Sequence, residues 1–131
     1  MPSIDELFLL GRILFAAHFL RSAYQHFANH AALTGYAQSK GVPMPGIAVA
    51  GSGLLLIVGG LGVLLGVYVP WALAALILFL IPVTFMMHAY WKVADPMAKM
   101  ADQVNFWKNV SLLGAALMML AVPLPWSYAA W

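Results

Sequence analysis

The sequence predicts an all-α integral membrane protein, a bundle of four transmembrane helices. The first observation is composition: of 131 residues, 64% are hydrophobic and only 8% are charged, whereas soluble domains carry about 25% charged residues. The second is that the apolar residues form four runs, each near the roughly 20 residues that a helix needs to cross a bilayer. The third is that these runs lack the period-two alternation of strands, whose open edges lipid does not tolerate.

The four predicted helices belong to one domain, residues 1–131, and differ in polarity. They cover residues 7–27, 47–69, 71–91 and 104–126. The first is the least hydrophobic and the second carries no charge at all. The longest connection, residues 28–46, joins the first two helices. Because the number of crossings is even, both termini are expected on the same side of the membrane.

Charge and cysteine content exclude several classes of function. Six Lys and Arg residues against four Asp and Glu residues are too small an excess for a nucleic-acid-binding face. The chain has no cysteine, so it forms no disulfide or thiolate metal site of its own. The carboxylates stand apart from the histidines in the sequence, so no metal site is predicted. Any redox role therefore needs a borrowed cofactor or a partner.

Small residues on the second helix recur at helical spacing, which allows another backbone to approach closely. We favour packing inside the four-helix monomer over a homodimer interface. In the third helix, Pro82 predicts a kink, and the hydroxyl of Thr84 is a local partner for the carbonyl that the proline frees. The predicted packing residues are Ser52, Gly59, Gly62 and Gly66.

Polar side chains inside the spans fall into three stripes at helical spacing. The ends of the first and third helices and the start of the fourth lie on one side of the bundle, so the stripes are expected to meet in one cavity. A charge within a span costs about 2.5 to 3.5 kcal/mol and normally faces protein or water. The predicted cavity residues are His18, Arg21, Gln25, Thr84, His88, Trp91, Asn105, Lys108 and Asn109.

The cavity residues have simpler interpretations as well. Arg21 and Lys108 lie close enough to the interface to extend their charged ends into it. His18 and His88 are more often hydrogen-bonded core imidazoles than ligands. Two histidines from different helices can also bind b-type haem, although we favour this least, and no CxxCH attachment motif is present.

Arg12 is separate from the main stripe by roughly 130° of helical arc. We favour an interpretation in which it extends toward the termini and pairs with Asp5 or Glu6. The alternative is a separate basic site that binds an acidic headgroup or a partner protein.

Orientation is predicted from the distribution of Lys and Arg between the two sides. Only Arg12 lies toward the termini, whereas the others lie toward the long loops. The positive-inside rule therefore predicts cytoplasmic loops. The loop-side residues are Arg21, Lys40, Lys92, Lys99 and Lys108.

Five ordered segments together resemble the DoxX family of membrane proteins over nearly the whole chain. They include a GRILFAAHFL first helix, a KGVPMP loop, a glycine-rich second helix, a proline-histidine-aromatic third helix and an FWKN start to the fourth. The segments cover residues 11–20, 36–49, 52–66, 81–91 and 106–117.

The resemblance implies a four-helix membrane bundle, and related eukaryotic proteins suggest cytoplasmic termini, opposite to the charge count. The family takes its name from subunits associated with archaeal quinol oxidase and thiosulfate oxidation. Positions that the family motif favours are occupied here by Arg12, Lys40, Gly41, Pro43, His88, Trp91, Lys108 and Asn109.

Three functions follow as hypotheses. The leading one is a noncatalytic accessory or partner subunit of a quinone-linked redox system in the bacterial inner membrane, with a cavity that binds a quinone, a lipid headgroup or a small anion. The second is an oxidoreductase subunit acting on quinone or thiosulfate, with His88 as proton donor; the lack of a carboxylate near the histidines counts against it. The third is a small-molecule carrier or assembly factor, although four short helices leave little room for alternating access.

Overall fold

The computed structural model describes residues 1–130, which contain helices and no strand. A short 3-10 helix, Tyr90–Lys92, precedes the last α-helix. The α-helices are α1 (Ile4–Ala28), α2 (His30–Ser39), α3 (Pro45–Leu65), α4 (Val69–Met87) and α5 (Pro96–Leu120). The all-α fold class is therefore confirmed.

The helices begin at recognisable capping signals. At the start of α1, Ser3 and Glu6 form a reciprocal capping box, with each side chain accepting from the other's backbone N–H at 3.1 and 2.8 Å. At the start of α5, Asp95 accepts from the Ala98 N–H at 2.9 Å, and Pro96 occupies the first turn, where no amide donor is needed. The Asp95 cap explains why α5 starts eight residues before the predicted residue 104.

The predicted helix ends differ from the observed ones for local reasons. Helix α3 ends at Leu65 rather than residue 69 because Gly66 adopts the left-handed conformation, φ +69°. Helix α4 ends at Met87 rather than residue 91. Helix α5 ends at Leu120 rather than residue 126, since Pro123 cannot continue a helix.

Helix α2 lies inside the segment that was predicted to be only a connection. It follows α1 directly after Asn29 and is only ten residues long. Its side chains are mostly exposed. Such a short helix with little apolar pattern gives a weak sequence signal.

In the part of the chain that the structure describes, three helices are long and apolar enough to cross a membrane: Ile4–Ala28, Pro45–Leu65 and Val69–Lys92. Helix α5 has 25 residues, but its first half carries Lys99, Asp102 and Lys108 and its apolar part begins only at Val110. A fourth crossing by α5 thus stays a prediction.

The helices pack in chain order, α1 on α3, α3 on α4 and α4 on α5. A Cβ added at Gly59 would overlap Leu76, and one added at Gly62 would overlap Ala72, so α3 and α4 are in close contact. The predicted packing face is therefore used partly within this chain. The side between α1 and α5 is not closely packed.

Candidate functional site

A cavity of about 740 Å³ lies at the end of the bundle where α1 and α4 finish and α3 and α5 begin. This volume is in the usual range for small-molecule sites, about 300 to 1,000 Å³. Helix α2 also contributes to its wall, through Leu33 and Tyr36. The polar lining residues are His18, Ser22, Gln25, His26, Ser52, His88, Asn105, Lys108 and Asn109.

Much of the remaining lining is apolar. Leu55 of α3 and Phe79 and Met86 of α4 are among these side chains. The cavity therefore has polar groups from four helices and an apolar surface beside them. This combination suits an amphipathic molecule, since the apolar wall provides burial and a few polar groups fix orientation.

Asp102 contacts three polar side chains at the polar end of the cavity. It is buried, with 5% of its surface exposed. One oxygen accepts from Lys40 Nζ at 2.6 Å, and the other lies 3.2 Å from His88 Nδ1 and 3.4 Å from the Tyr36 hydroxyl. One carboxylate thus links α2, the following loop, the end of α4 and α5.

The Asp102–Lys40 pair lies outside the apolar part of the bundle, and each partner affects the other's protonation. Burial raises the pKa of Asp102, but hydrogen bonds from Lys40 and His88 outweigh it and hold that pKa below its ordinary value. The hydrogen bond to Asp102 raises the pKa of Lys40, although partial burial opposes this. Both groups are therefore charged at neutral pH.

The position of Asp102 corrects the expectation that no carboxylate lies near the histidines. Asp102 was placed in a loop because α5 was predicted to begin at residue 104. The Asp95–Pro96 cap was the available signal that the helix starts earlier. With that start, Asp102, Asn105 and Asn109 follow at i, i+3 and i+7 and share a helix face.

Two other histidines tie α1 and α2 to α3. His26 Nδ1 lies 3.3 Å from both the Val49 carbonyl oxygen and the Ser52 hydroxyl. His30 Nε2 lies 2.9 Å from the Gly46 carbonyl oxygen. Sequence reasoning omitted both histidines from the site, although His26 lines the cavity.

The remaining cavity polar groups have few partners. Lys108 Nζ donates to Asn105 Oδ1 at 3.3 Å and pairs with no acid among residues 1–130. Asn109 is 5% exposed, and its side chain makes no hydrogen bond within that range. His18 contacts the edge of Phe19, with ring centroids 5.1 Å apart.

Three of the nine predicted cavity residues do not line it. Arg21 is exposed and forms no ion pair in the described part of the chain. Thr84 is buried and donates to the Leu80 carbonyl at 2.5 Å, so it does not serve the Leu78 carbonyl that Pro82 leaves without a donor. The Trp91 ring packs on Phe106, centroid distance 5.6 Å.

Arg12 is buried at the opposite end of the bundle and pairs with neither Asp5 nor Glu6, contrary to the favoured interpretation. Only 1% of the Arg12 surface is exposed. It donates to the carbonyl oxygens of Val63 at 3.0 Å, Leu64 at 2.9 Å and Ser127 at 2.5 Å. Arg12 therefore satisfies the free carbonyls at the end of α3 and joins that end to the C-terminal segment.

Comparison with known proteins places the chain among membrane proteins. The sequence profile of the DoxX family matches residues 7–89, which include all of α1 except its first three residues and the whole of α2, α3 and α4. Inner membrane protein YphA of Escherichia coli (strain K12) is 26% identical over 113 residues, covering 86% of this chain and 80% of that protein. No solved structure matches the chain at a significant level.

Proposed function

Since the chain belongs to the DoxX family of membrane proteins, we propose that it is a noncatalytic accessory subunit of a quinone-linked redox system in the bacterial inner membrane. Its cavity binds the amphipathic ligand of that system, a quinone. The inner-membrane location is inferred from the similarity to YphA. The observation that carries the proposal is the cavity itself, which combines an apolar wall with the unpaired ammonium of Lys108.

The charge balance of the cavity favours a ligand that brings oxygen acceptors. Asp102 is the acid nearest to the cavity, and Lys40 already neutralises it at 2.6 Å. Within residues 1–130, Lys108 is left with the amide of Asn105 alone. A carbonyl or phosphate oxygen placed against Lys108 would receive a charge-assisted hydrogen bond, which is stronger than a neutral one.

The apolar wall favours a quinone or lipid over a small free anion. Leu55, Phe79 and Met86 offer a hydrocarbon tail the burial that an inorganic anion does not need. The side between α1 and α5 is not closely packed, and in a bilayer it would face lipid. A lipid-soluble molecule can reach the cavity by that side.

Copurification provides the first test. The protein is purified in mild detergent, its visible spectrum is recorded, and bound molecules are extracted and identified by mass spectrometry. We expect quinone above the amount in an empty detergent control. If phospholipid is recovered without quinone, the ligand is a lipid headgroup and not a quinone. A Soret band in the visible spectrum would indicate b-type haem instead.

Two substitutions test the cavity directly. Lys108→Met should reduce the retained quinone severalfold, because it removes the unpaired donor, and His88→Ala should reduce it as well. Lys99→Met is the matched control, since Lys99 lies on the same helix but is exposed and outside the cavity. If wild type and both cavity variants retain equal amounts, the cavity is not the binding site.

A second candidate function, direct participation in quinone reduction, gains support from the His88–Asp102 contact of 3.2 Å. A redox partner would supply two electrons, and His88 would pass one of the two protons that a quinone takes up on becoming a quinol. Water would supply the second proton and restore the one that His88 gives up. The Asp102 carboxylate would stabilise the imidazolium form of His88. In membrane vesicles, His88→Ala would then slow quinone reduction by more than it lowers the amount of bound quinone. A rate that falls only in proportion to the bound quinone would exclude this role.

A further inference from the structure

His88 is held through one ring nitrogen only. Its Nδ1 lies 3.2 Å from Asp102 Oδ1, and its side chain is 14% exposed. The other nitrogen, Nε2, has no hydrogen-bond partner among residues 1–130, and the ring lines the cavity. Nε2 is therefore the ring nitrogen that remains available to a ligand in the cavity.

The protonation of His88 follows from that of Asp102. Lys40 Nζ lies 2.6 Å from Asp102 Oδ2, so the carboxylate is ionised, and an ionised carboxylate only accepts hydrogen bonds. The hydrogen of a neutral His88 ring must then be on Nδ1. The carboxylate also fixes the orientation of the ring, as such second groups do for catalytic histidines.

A neutral ring with its hydrogen on Nδ1 has a lone pair on Nε2. The charged groups near this ring are Asp102, the Lys40 ammonium that is paired with it, and the Lys108 ammonium, which lines the same cavity. The carboxylate is already paired with Lys40, and Lys108 faces the same cavity as the ring. This environment keeps His88 an acceptor toward the cavity, while Lys108 and Asn109 provide donors.

We infer that Asp102 is a positioning residue that fixes the tautomer of His88, and that the cavity consequently selects an amphiphile whose head group carries an O–H donor. A phenol or hydroquinone head satisfies His88 Nε2 with its hydroxyl, and its oxygen accepts from Lys108. An acceptor-only quinone leaves Nε2 without a partner. The inference rests on the proposed function, because it concerns the same cavity, and it names the reduced form as the preferred ligand.

The tautomer is measured by NMR of protein labelled with ¹⁵N-histidine, with His88 assigned from the signal missing in His88→Gln. We expect a protonated Nδ1 and an unprotonated Nε2 in wild type. Asp102→Asn should change this pattern, since an amide can also donate to Nδ1. Asp95→Asn, the same chemical change at the helix cap, should not. A wild-type His88 with its hydrogen on Nε2 would overturn the inference.

Selectivity is measured with two probes of nearly equal shape, 4-decylphenol and 4-decylanisole, in nanodiscs at matched bilayer concentrations. The wild-type protein should bind the phenol at least about tenfold more tightly, because a site built to accept from a hydroxyl rejects the analogue without one. The preference should fall to threefold or less in Asp102→Asn and in His88→Gln. Asp95→Asn should keep it.

The outcomes distinguish the proposal that the cavity binds an amphiphile from the inference that it selects an O–H donor. Equal binding of both probes by wild type would overturn the donor selection while leaving an amphiphile-binding cavity. Binding of neither probe would overturn the cavity's proposed ligand class and the selection with it, and the NMR signal would still decide whether Asp102 sets the tautomer. If Asp102→Asn does not fold, His88→Gln carries the selectivity test alone.

Discussion

Polar side chains at the two ends of the bundle differ in how many hydrogen-bond partners they have. At the end where α1 begins, Arg12 donates to three carbonyl oxygens and lies 5.4 Å from the Trp126 ring centre. At the other end, Lys108 has only the Asn105 amide, and Asn109 has no partner in the described range. The contrast teaches that a buried cation whose three nitrogens all donate to the backbone supports the fold, whereas an exposed cation with a single amide partner is available to a ligand.

Two glycines near these groups show the same contrast. At the Arg12 end, a Cβ on Gly66 would lie 2.7 Å from Arg12 Nη2, so the space beside Gly66 is filled. At the loop end, Gly51 has open space around its missing Cβ and lines the cavity. Substitutions at the first end should therefore change stability, and substitutions at the second should change binding.

The largest effect is expected from Arg12→Met, which leaves three carbonyls without their donor. Each unsatisfied buried group costs about 1 to 3 kcal/mol, so we expect a loss of about 3 kcal/mol or more and a clearly lower Tm in detergent. Arg21→Met is the matched control on the same helix, since Arg21 is exposed and unpaired within residues 1–130. Equal Tm values for the two variants would contradict the structural role of Arg12.

A smaller loss is expected from Gly62→Ala, whose new methyl would overlap Ala72 of α4. Overpacking of this kind costs about 1 to 3 kcal/mol. Gly11→Ala serves as control, because nothing lies within 4 Å of its Cβ position, and alanine in a helix is favoured over glycine by about 0.5 to 1 kcal/mol. Thermal unfolding should move in opposite directions for the two variants.

The third effect in size is expected from acid, which should destabilise the end of the bundle that contains Asp102. The pKa of Asp102 is lower in the folded protein than its ordinary value, despite the opposing effect of burial, because Lys40 and His88 donate to it. Such a group contributes stability above its unfolded pKa, about 3.9 for aspartate, and the contribution is lost as the pH falls through the folded pKa. As the pH falls below 4, the free energy of unfolding should therefore decrease more in wild type than in Asp102→Asn, which has no carboxylate to protonate.

The smallest effect on stability is expected from Lys108→Met, although its effect on binding should be severalfold. Lys108 is exposed toward the cavity and makes one hydrogen bond of 3.3 Å to a neutral amide, so its removal should leave the Tm nearly unchanged. Tm and retained quinone are measured on the same preparation. A large drop in Tm would show that Lys108 stabilises the fold and is not mainly a ligand-binding residue.

The apolar runs predicted α1, α3 and α4 well, because length and hydrophobicity decide which helices can enter lipid. Helix α2 and the first half of α5 were missed because neither is apolar. The role of Arg12 could not be read from sequence, since its partners Val63 and Ser127 are 51 and 115 residues away. Six of the nine proposed cavity residues line the cavity, because helical periodicity places residues on faces; Asp102 was missed when the helix start was placed too late.

The polar first half of α5 also has a consequence for how the protein is made. Asp102 obtains its partners from Tyr36, Lys40 and His88, all of which are synthesised earlier. We therefore expect the polar first half of α5 to dock only once the preceding helices are in place. The order of synthesis suits this dependence, because the last helix meets partners that have already been made.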